Sequence, residues 1–433
     1  MMMFDRRQML AAVAAAAAGP ALARSPVARG PLNHDAAQAL VDRYVKQGSV
    51  PGAVVALVEP GDARPVFVSA GVTAFGGSQP VTPDTLWRIY SMSKCITAMA
   101  VMQRVATGEL DLDLPIGTIL PDFAAMKVAV EPGKALESRP AARQITVRHL
   151  LTHTAGLAYA INGNGPIEKE YRRLGIQPGS VPAFLQPGEG ALPDLQVMAA
   201  SLAALPLLSD PGTTWHYSVG LDVAGALLEK VAGMTLDKVI EQQITGPLGM
   251  ADTGFWAKDK TRLAANYLWT PPGGTKVLDK PIPISVLERD GFTTRPTLLS
   301  GGGGMVGSAR DYAKFGQMLL NLGEFGGKTV MPRGIARLAM SNLLPPGVFF
   351  EGNNGFGAGG RLTLFDTRAG NGSASGPGSP ADCYGWGGAA GTLFMVDHVR
   401  QFAVVLMLQT MADSRLKRDV DLAGALAIDA AGR

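Results

Sequence analysis

The spacing of the apolar residues changes twice along the chain, and that change limits what it can fold into. Near the start, 53–58 and 65–69 are short valine-rich runs bounded by Pro51-Gly52, Pro60-Gly61 and Gly71, which is the pattern of a β-hairpin. Near the end, 391–396 and 401–409 are two more strand-like runs, joined by a turn at Asp397-His398-Val399-Arg400. Between them, 91–105, 147–151, 195–204, 219–231, 236–244 and 309–322 have helical periodicity and are separated by long Pro- and Gly-rich connections. Further helices are expected at 34–45 and 415–430. Strand-rich ends around a helix-rich middle predict an α/β domain built from both ends of the chain, 31–88 and 295–433, with a mainly helical domain, 89–294, inserted. The cleft between two such domains is the expected ligand site. Two stretches, 158–193 and 353–381, show no periodicity and read as lids or disordered segments.

The first 23 residues combine the pair Arg6-Arg7, an alanine-rich apolar stretch and Ala21-Leu22-Ala23. These are the three parts of a twin-arginine export signal, with cleavage expected after Ala23 and a periplasmic or secreted product. The apolar stretch falls short of the about 20 residues a spanning helix needs. No cysteine lies near the cleavage position to carry a lipid, so no stable membrane anchor is expected. The net charge of +3, with no basic run interleaved with aromatics, argues against nucleic acid as a partner. Cys95 and Cys383 are the only two cysteines and cannot build a disulfide scaffold or a four-cysteine zinc site; buried free thiols are expected. No HExxH, close histidine pair or acidic calcium loop is present, so neither a metal nor another cofactor is expected. The sequence does not indicate an oligomeric state.

A GxSxG elbow is absent, and the histidines His34, His149, His153, His216 and His398 are too dispersed to assemble a Ser-His-Asp triad. The segment Ser91-Met92-Ser93-Lys94 offers a different nucleophile. At the start of a helical run, Ser91 and Lys94 fall on one face about one turn apart. A serine hydroxyl needs a base before it attacks, and a buried lysine is one candidate. Two other segments stand out: Pro211-Gly212-Thr213-Thr214-Trp215-His216-Tyr217-Ser218, a turn running into a helix, and Tyr384-Gly385-Trp386-Gly387-Gly388-Ala389-Ala390-Gly391, a glycine-rich approach to a strand.

Taken in order and spacing, SMSK at 91, HLLTHTAGL at 149–157, PGTTWHYSVGLDVAGALLEKVAG at 211–233, GGGGMVGSARDYAKFGQML at 301–319 and WGGAAGTLFMVD at 386–397 resemble the serine β-lactamase and penicillin-binding protein superfamily. Within it the chain is most similar to the class C-like esterases called family VIII carboxylesterases. The resemblance implies an antiparallel sheet flanked by helices, with Ser91 as the acylated nucleophile and Lys94 and Tyr217 as its activating network. It leaves open which of the two takes the proton. It also implies an oxyanion hole made from the backbone N–H groups of Ser91 and Ala389. The first of two departures is at the third motif, where β-lactamases have a lysine that binds the drug's carboxylate; here Trp386-Gly387-Gly388 stands there. The second is Val219 in place of an asparagine. An indole suits a neutral acyl or alcohol group, and Gly387 and Gly388 are expected to let the backbone approach the substrate closely. The expected activity is therefore hydrolysis of small-molecule, short-chain esters, with β-lactam or D-amino-acid amide hydrolysis and acyl transfer as alternatives. His153 is expected to be structural, and Gly301 to Gly304, which no GK[ST] follows, to form a structural loop near the site.

Overall fold

The computed structural model describes residues 32, 34–176, 192–268, 282–283, 292–350, 354–363 and 383–411. The expected export signal at 1–23 and the expected helix at 415–430 lie outside the described residues. The valine-rich run Gly52–Val58 (β1) is buried at every position, so both faces of its sheet must be covered. It pairs with Val66–Gly71 (β2) in the register Val55↔Val68. A separate short ladder joins Leu86–Arg88 (β3) to Val306–Ser308 (β4). The other strands of the main sheet come from the far end of the chain: Gly355–Phe356 (β5), Arg361–Thr363 (β6), Cys383–Gly387 (β7), Leu393–Asp397 (β8) and Phe402–Met407 (β9). The sheet order is β5-β6-β7-β8-β9-β1-β2, with each neighbouring pair antiparallel. Both ends of the chain thus meet at β9 and β1, where Val55 lies opposite Leu406.

Alternation along β1 sends its side chains into two cores. Ala53, Val55 and Leu57 pack with Val41 and Tyr44 of His34–Lys46 (α1), while Val54, Ala56 and Val58 enter the larger core on the opposite face. The helices of that larger core are Ser93–Ala106 (α2), Val147–Leu151 (α3), Pro166–Arg173 (α4), Leu195–Ala203 (α5), Gly220–Ala232 (α6), Leu236–Ile240 (α7), Ala309–Leu320 (α8) and Arg333–Ala339 (α9). Helix α8 starts where the Ser308 hydroxyl accepts from the Asp311 N–H at 3.2 Å, a regular N-cap. Its Tyr312 and Phe315 then meet Phe394 of β8 at ring separations of 5.0 and 5.6 Å. Helix α6 is buried continuously from Gly220 to Leu228, as a helix that is apolar on nearly all sides must be. No helix among the described residues is long and apolar enough to cross a membrane.

Three local features differ from the expectations. The stretch 158–193 contains α4, which buries only Ile167 and Tyr171, an i,i+4 pair. Two apolar positions in eight residues are too few to register as a period. The helix holds because Arg172 donates to the carbonyls of Ala160 and Gly163, and Tyr171 accepts from the Ala158 N–H. The stretch 353–381 supplies β5 and β6, which are two and three residues long. The helix expected at 236–244 is α-helical only to Ile240 and continues as a π-helical turn, Glu241–Thr245.

Candidate active site

Ser91 lies one step ahead of the helix expected to carry it. It sits in a single 3₁₀ turn, Tyr90–Met92, and α2 begins at Ser93. Tyr90 has φ +43°, a left-handed conformation that is costly for a bulky side chain and that only the surrounding structure can hold. That structure is present: Asn266 donates to the Tyr90 hydroxyl at 2.7 Å, and Phe292 meets its ring edge-on at 5.6 Å. The turn is also tied down from outside, since the Ile89 N–H donates to the Met305 carbonyl and the Tyr312 hydroxyl donates to the Met92 carbonyl.

The backbone change leaves the Ser91–Lys94 pairing intact. Lys94 Nζ lies 3.3 Å from Ser91 Oγ, and Tyr217 Oη lies 2.7 Å from the same oxygen. Tyr217 comes from the loop that leads into α6, so the three groups of the expected network meet from the 3₁₀ turn, α2 and that loop. Lys94 is fully buried. Its ammonium also donates to the Gly302 carbonyl at 2.5 Å and lies over the rings of Tyr217 and Tyr159 at 4.7 and 5.3 Å. Burial pushes the Tyr159 hydroxyl well above its ordinary range, and Tyr217 and Asp222 push it the same way. It therefore stays a neutral phenol.

Trp386 of β7 donates its indole N–H to Tyr217 Oη at 3.3 Å. Its one donor therefore faces the catalytic tyrosine. A Cβ on Gly388 would lie 2.2 Å from Thr392 Oγ1 and 2.5 Å from the Ile89 carbonyl oxygen, so the missing side chain lets the backbone pack closely on the turn before Ser91. That contact brings the end of β7 against the nucleophile turn. Ala389 follows, exposed, and no acceptor among the described residues takes its N–H. Gly387 ends β7 in the register Gly387↔Leu393.

The remaining candidates have structural roles. His153 is buried, with Nδ1 3.0 Å from Ser218 Oγ and accepting the Ser218 N–H at 3.2 Å. Burial first, and then Lys94, hold it well below its ordinary range, so it is a neutral support beneath Tyr217, whose ring lies 4.8 Å away. His216 is half-buried and its backbone N–H binds the His153 carbonyl. Both cysteines are free. Cys95 is buried, and burial pushes its thiol up to about 12; Cys383, expected to be buried, is only half-buried. Reading the sequence missed Tyr159 and the carboxylate of Asp222, although Asp222 is the one charged residue in the stretch Gly220 to Leu228 that is buried throughout.

A serine hydroxyl bonded to both a phenol and a buried ammonium, beside an unengaged backbone N–H, defines a serine hydrolase of the SxxK type, which works through an acyl-enzyme. The family model described as Beta-lactamase matches residues 37–427, and the chain belongs to the beta-lactamase family. It is 31% identical to Esterase EstB of Burkholderia gladioli over 383 residues, 86% of this chain and 89% of that protein. It is 31% identical to Protein Rv1367c of Mycobacterium tuberculosis over 406 residues, 92% and 94% of the two chains. Among solved structures it is similar to "EstCE1, a hydrolase with promiscuous acyltransferase activity", with a TM-score of 0.69, 26% identity and coverage of 90% of this chain and 97% of that one.

Proposed function

We propose that the protein is an exported serine carboxylesterase that cleaves short-chain acyl esters through an acyl-enzyme on Ser91. The observation that carries this reading is the Trp386 indole, which stands where a β-lactamase has its carboxylate-binding lysine and uses its only donor on Tyr217. That strand end offers a substrate an apolar ring where a β-lactamase has a lysine. Phe350 and Phe356, both buried, back the Trp386 ring at 5.9 and 5.3 Å. An uncharged acyl or alcohol group suits such a wall, and the activity named for EstB supports the same reading.

In the acylation step Tyr217 acts as the phenolate: Ser91 Oγ attacks the ester carbonyl carbon and its proton passes to Tyr217 Oη, 2.7 Å away, giving the neutral phenol. The carbonyl oxygen takes up the electron pair and rests on the N–H groups of Ser91 and Ala389. The C–O bond to the alcohol then breaks, and Tyr217 returns the proton to the leaving oxygen. Water repeats the sequence on the acyl-serine and releases the acid. An alcohol in place of water would give acyl transfer, the side activity named for EstCE1.

Two measurements test the reading. Purified wild-type protein should hydrolyse p-nitrophenyl butyrate much faster than nitrocefin under equal conditions, and comparable rates on the two would defeat the ester assignment. Mass spectrometry of protein recovered from the periplasm should place the N-terminus at Arg24, and an intact Met1 there would defeat export through residues 1–23.

A further inference from the structure

Asp222 is a buried carboxylate that the chemistry above does not use. It sits in the first turn of α6 and is 1% exposed. Its Oδ1 accepts the Ser300 hydroxyl and, at 3.0 Å, the Gly302 N–H. Its Oδ2 is buried with no hydrogen-bond partner among the described residues, and the absent side chain of Gly302 is what leaves room for it. Lys94, fully buried on α2, likewise has no carboxylate in direct contact among the described residues. A single buried charge is strongly unfavourable unless an opposite charge offsets it. Gly302 joins the two: its N–H points to Asp222 and its C=O to Lys94.

We propose that Asp222 is the counter-ion of Lys94, acting through Gly302, and so is a positioning residue for the catalytic ammonium. Burial pushes the Asp222 carboxyl up, and of the influences that pull it back down Lys94 is the largest, ahead of Ser300 and Gly302. The other titratable groups around the pair are neutral or part of the reaction. Tyr159 is held as a phenol, His153 is held uncharged, and Tyr217 is the acid–base group itself. Lys94 is then fixed on Ser91 Oγ as a donor, and Tyr217, on the same oxygen, takes the proton. Thr97 braces the same loop by donating to the Gly301 carbonyl at 2.8 Å. The run of glycines at 301–304 thus acts as a rigid bridge between two buried charges.

The kinetic test rests on the esterase reading, and the stability test does not. Asp222→Asn keeps the acceptor oxygen for Ser300 and Gly302 and removes only the charge. Its kcat on the ester should fall at least about 10-fold with little change in KM, and the alkaline limb of its pH–rate profile should move down by about one unit, because the ammonium has lost its counter-ion. A profile superimposable on wild type, or a rise in KM at unchanged kcat, would overturn the proposal. The stability test is a thermal-melting cycle of Asp222→Asn, Lys94→Met and the double variant. Each single change leaves one lone buried charge, so the double variant should melt above both singles. Additive losses would overturn the proposal. If Asp222→Asn does not fold, the double variant decides: folding supports the counter-ion role and failure to fold refutes it. Should the wild type hydrolyse no ester, the esterase reading fails while the melting cycle still judges the ion pair.

Discussion

Replacing Ser91 with alanine should lower kcat/KM for p-nitrophenyl butyrate by about 10⁴-fold or more, with the melting temperature nearly unchanged. Removal of a serine nucleophile from a comparable acyl-transfer site costs about six orders of magnitude in kcat, and residual binding and oxyanion contacts set the floor. The fold should tolerate the change because Ser91 is only half-buried and its partners keep other bonds: Lys94 to Gly302, and Tyr217 to Trp386. Circular dichroism melting on the same preparations separates loss of chemistry from loss of structure. A Ser91→Ala protein that keeps most of its ester rate would place the nucleophile elsewhere.

Tyr217→Phe should lower kcat by about 10²- to 10⁴-fold, the usual contribution of a positioned acid–base group. KM should change little, because the ring and its contacts to Tyr159 and His153, at 5.1 and 4.8 Å, are retained. Trp386→Phe is the graded comparison. It keeps an aromatic ring against Phe356 but removes the N–H that donates to Tyr217 Oη. One lost hydrogen bond to a developing charge is worth roughly a 10-fold drop in kcat. If Tyr217→Phe were nearly fully active, or if Trp386→Phe left kcat at the wild-type value, the proton path through Tyr217 would be wrong.

Much of this molecule was legible because its elements are long and periodic. The hairpin of β1 and β2, the strands β8 and β9, and the helices α2, α6 and α8 each carry enough apolar positions to show a period. Ser91 and Lys94 stood out because their spacing matches a chemistry, and Tyr217 and Trp386 through the resemblance to the serine β-lactamase superfamily. What escaped the sequence depends on contacts between distant segments. Helix α4 is held by hydrogen bonds to the loop before it. The short strand β6 exists because β7 offers it a pairing edge, and β5 then adds to β6. Asp222 meets Ser300 and Gly302 across 78 and 80 residues of sequence, and nothing local marks that meeting. The direction of the Trp386 N–H is set in the same way. A motif supplies the residue type, while the packing of β7 against the Tyr217 loop decides where its only donor points.

The most direct test of the account is to inactivate the wild type with diethyl p-nitrophenyl phosphate and map the adduct. The account predicts one diethylphosphoryl group per chain, on the peptide containing Ser91, appearing in step with the loss of ester hydrolysis. Loss of activity with the label on a different residue, or complete labelling of Ser91 with hydrolysis retained, would contradict it.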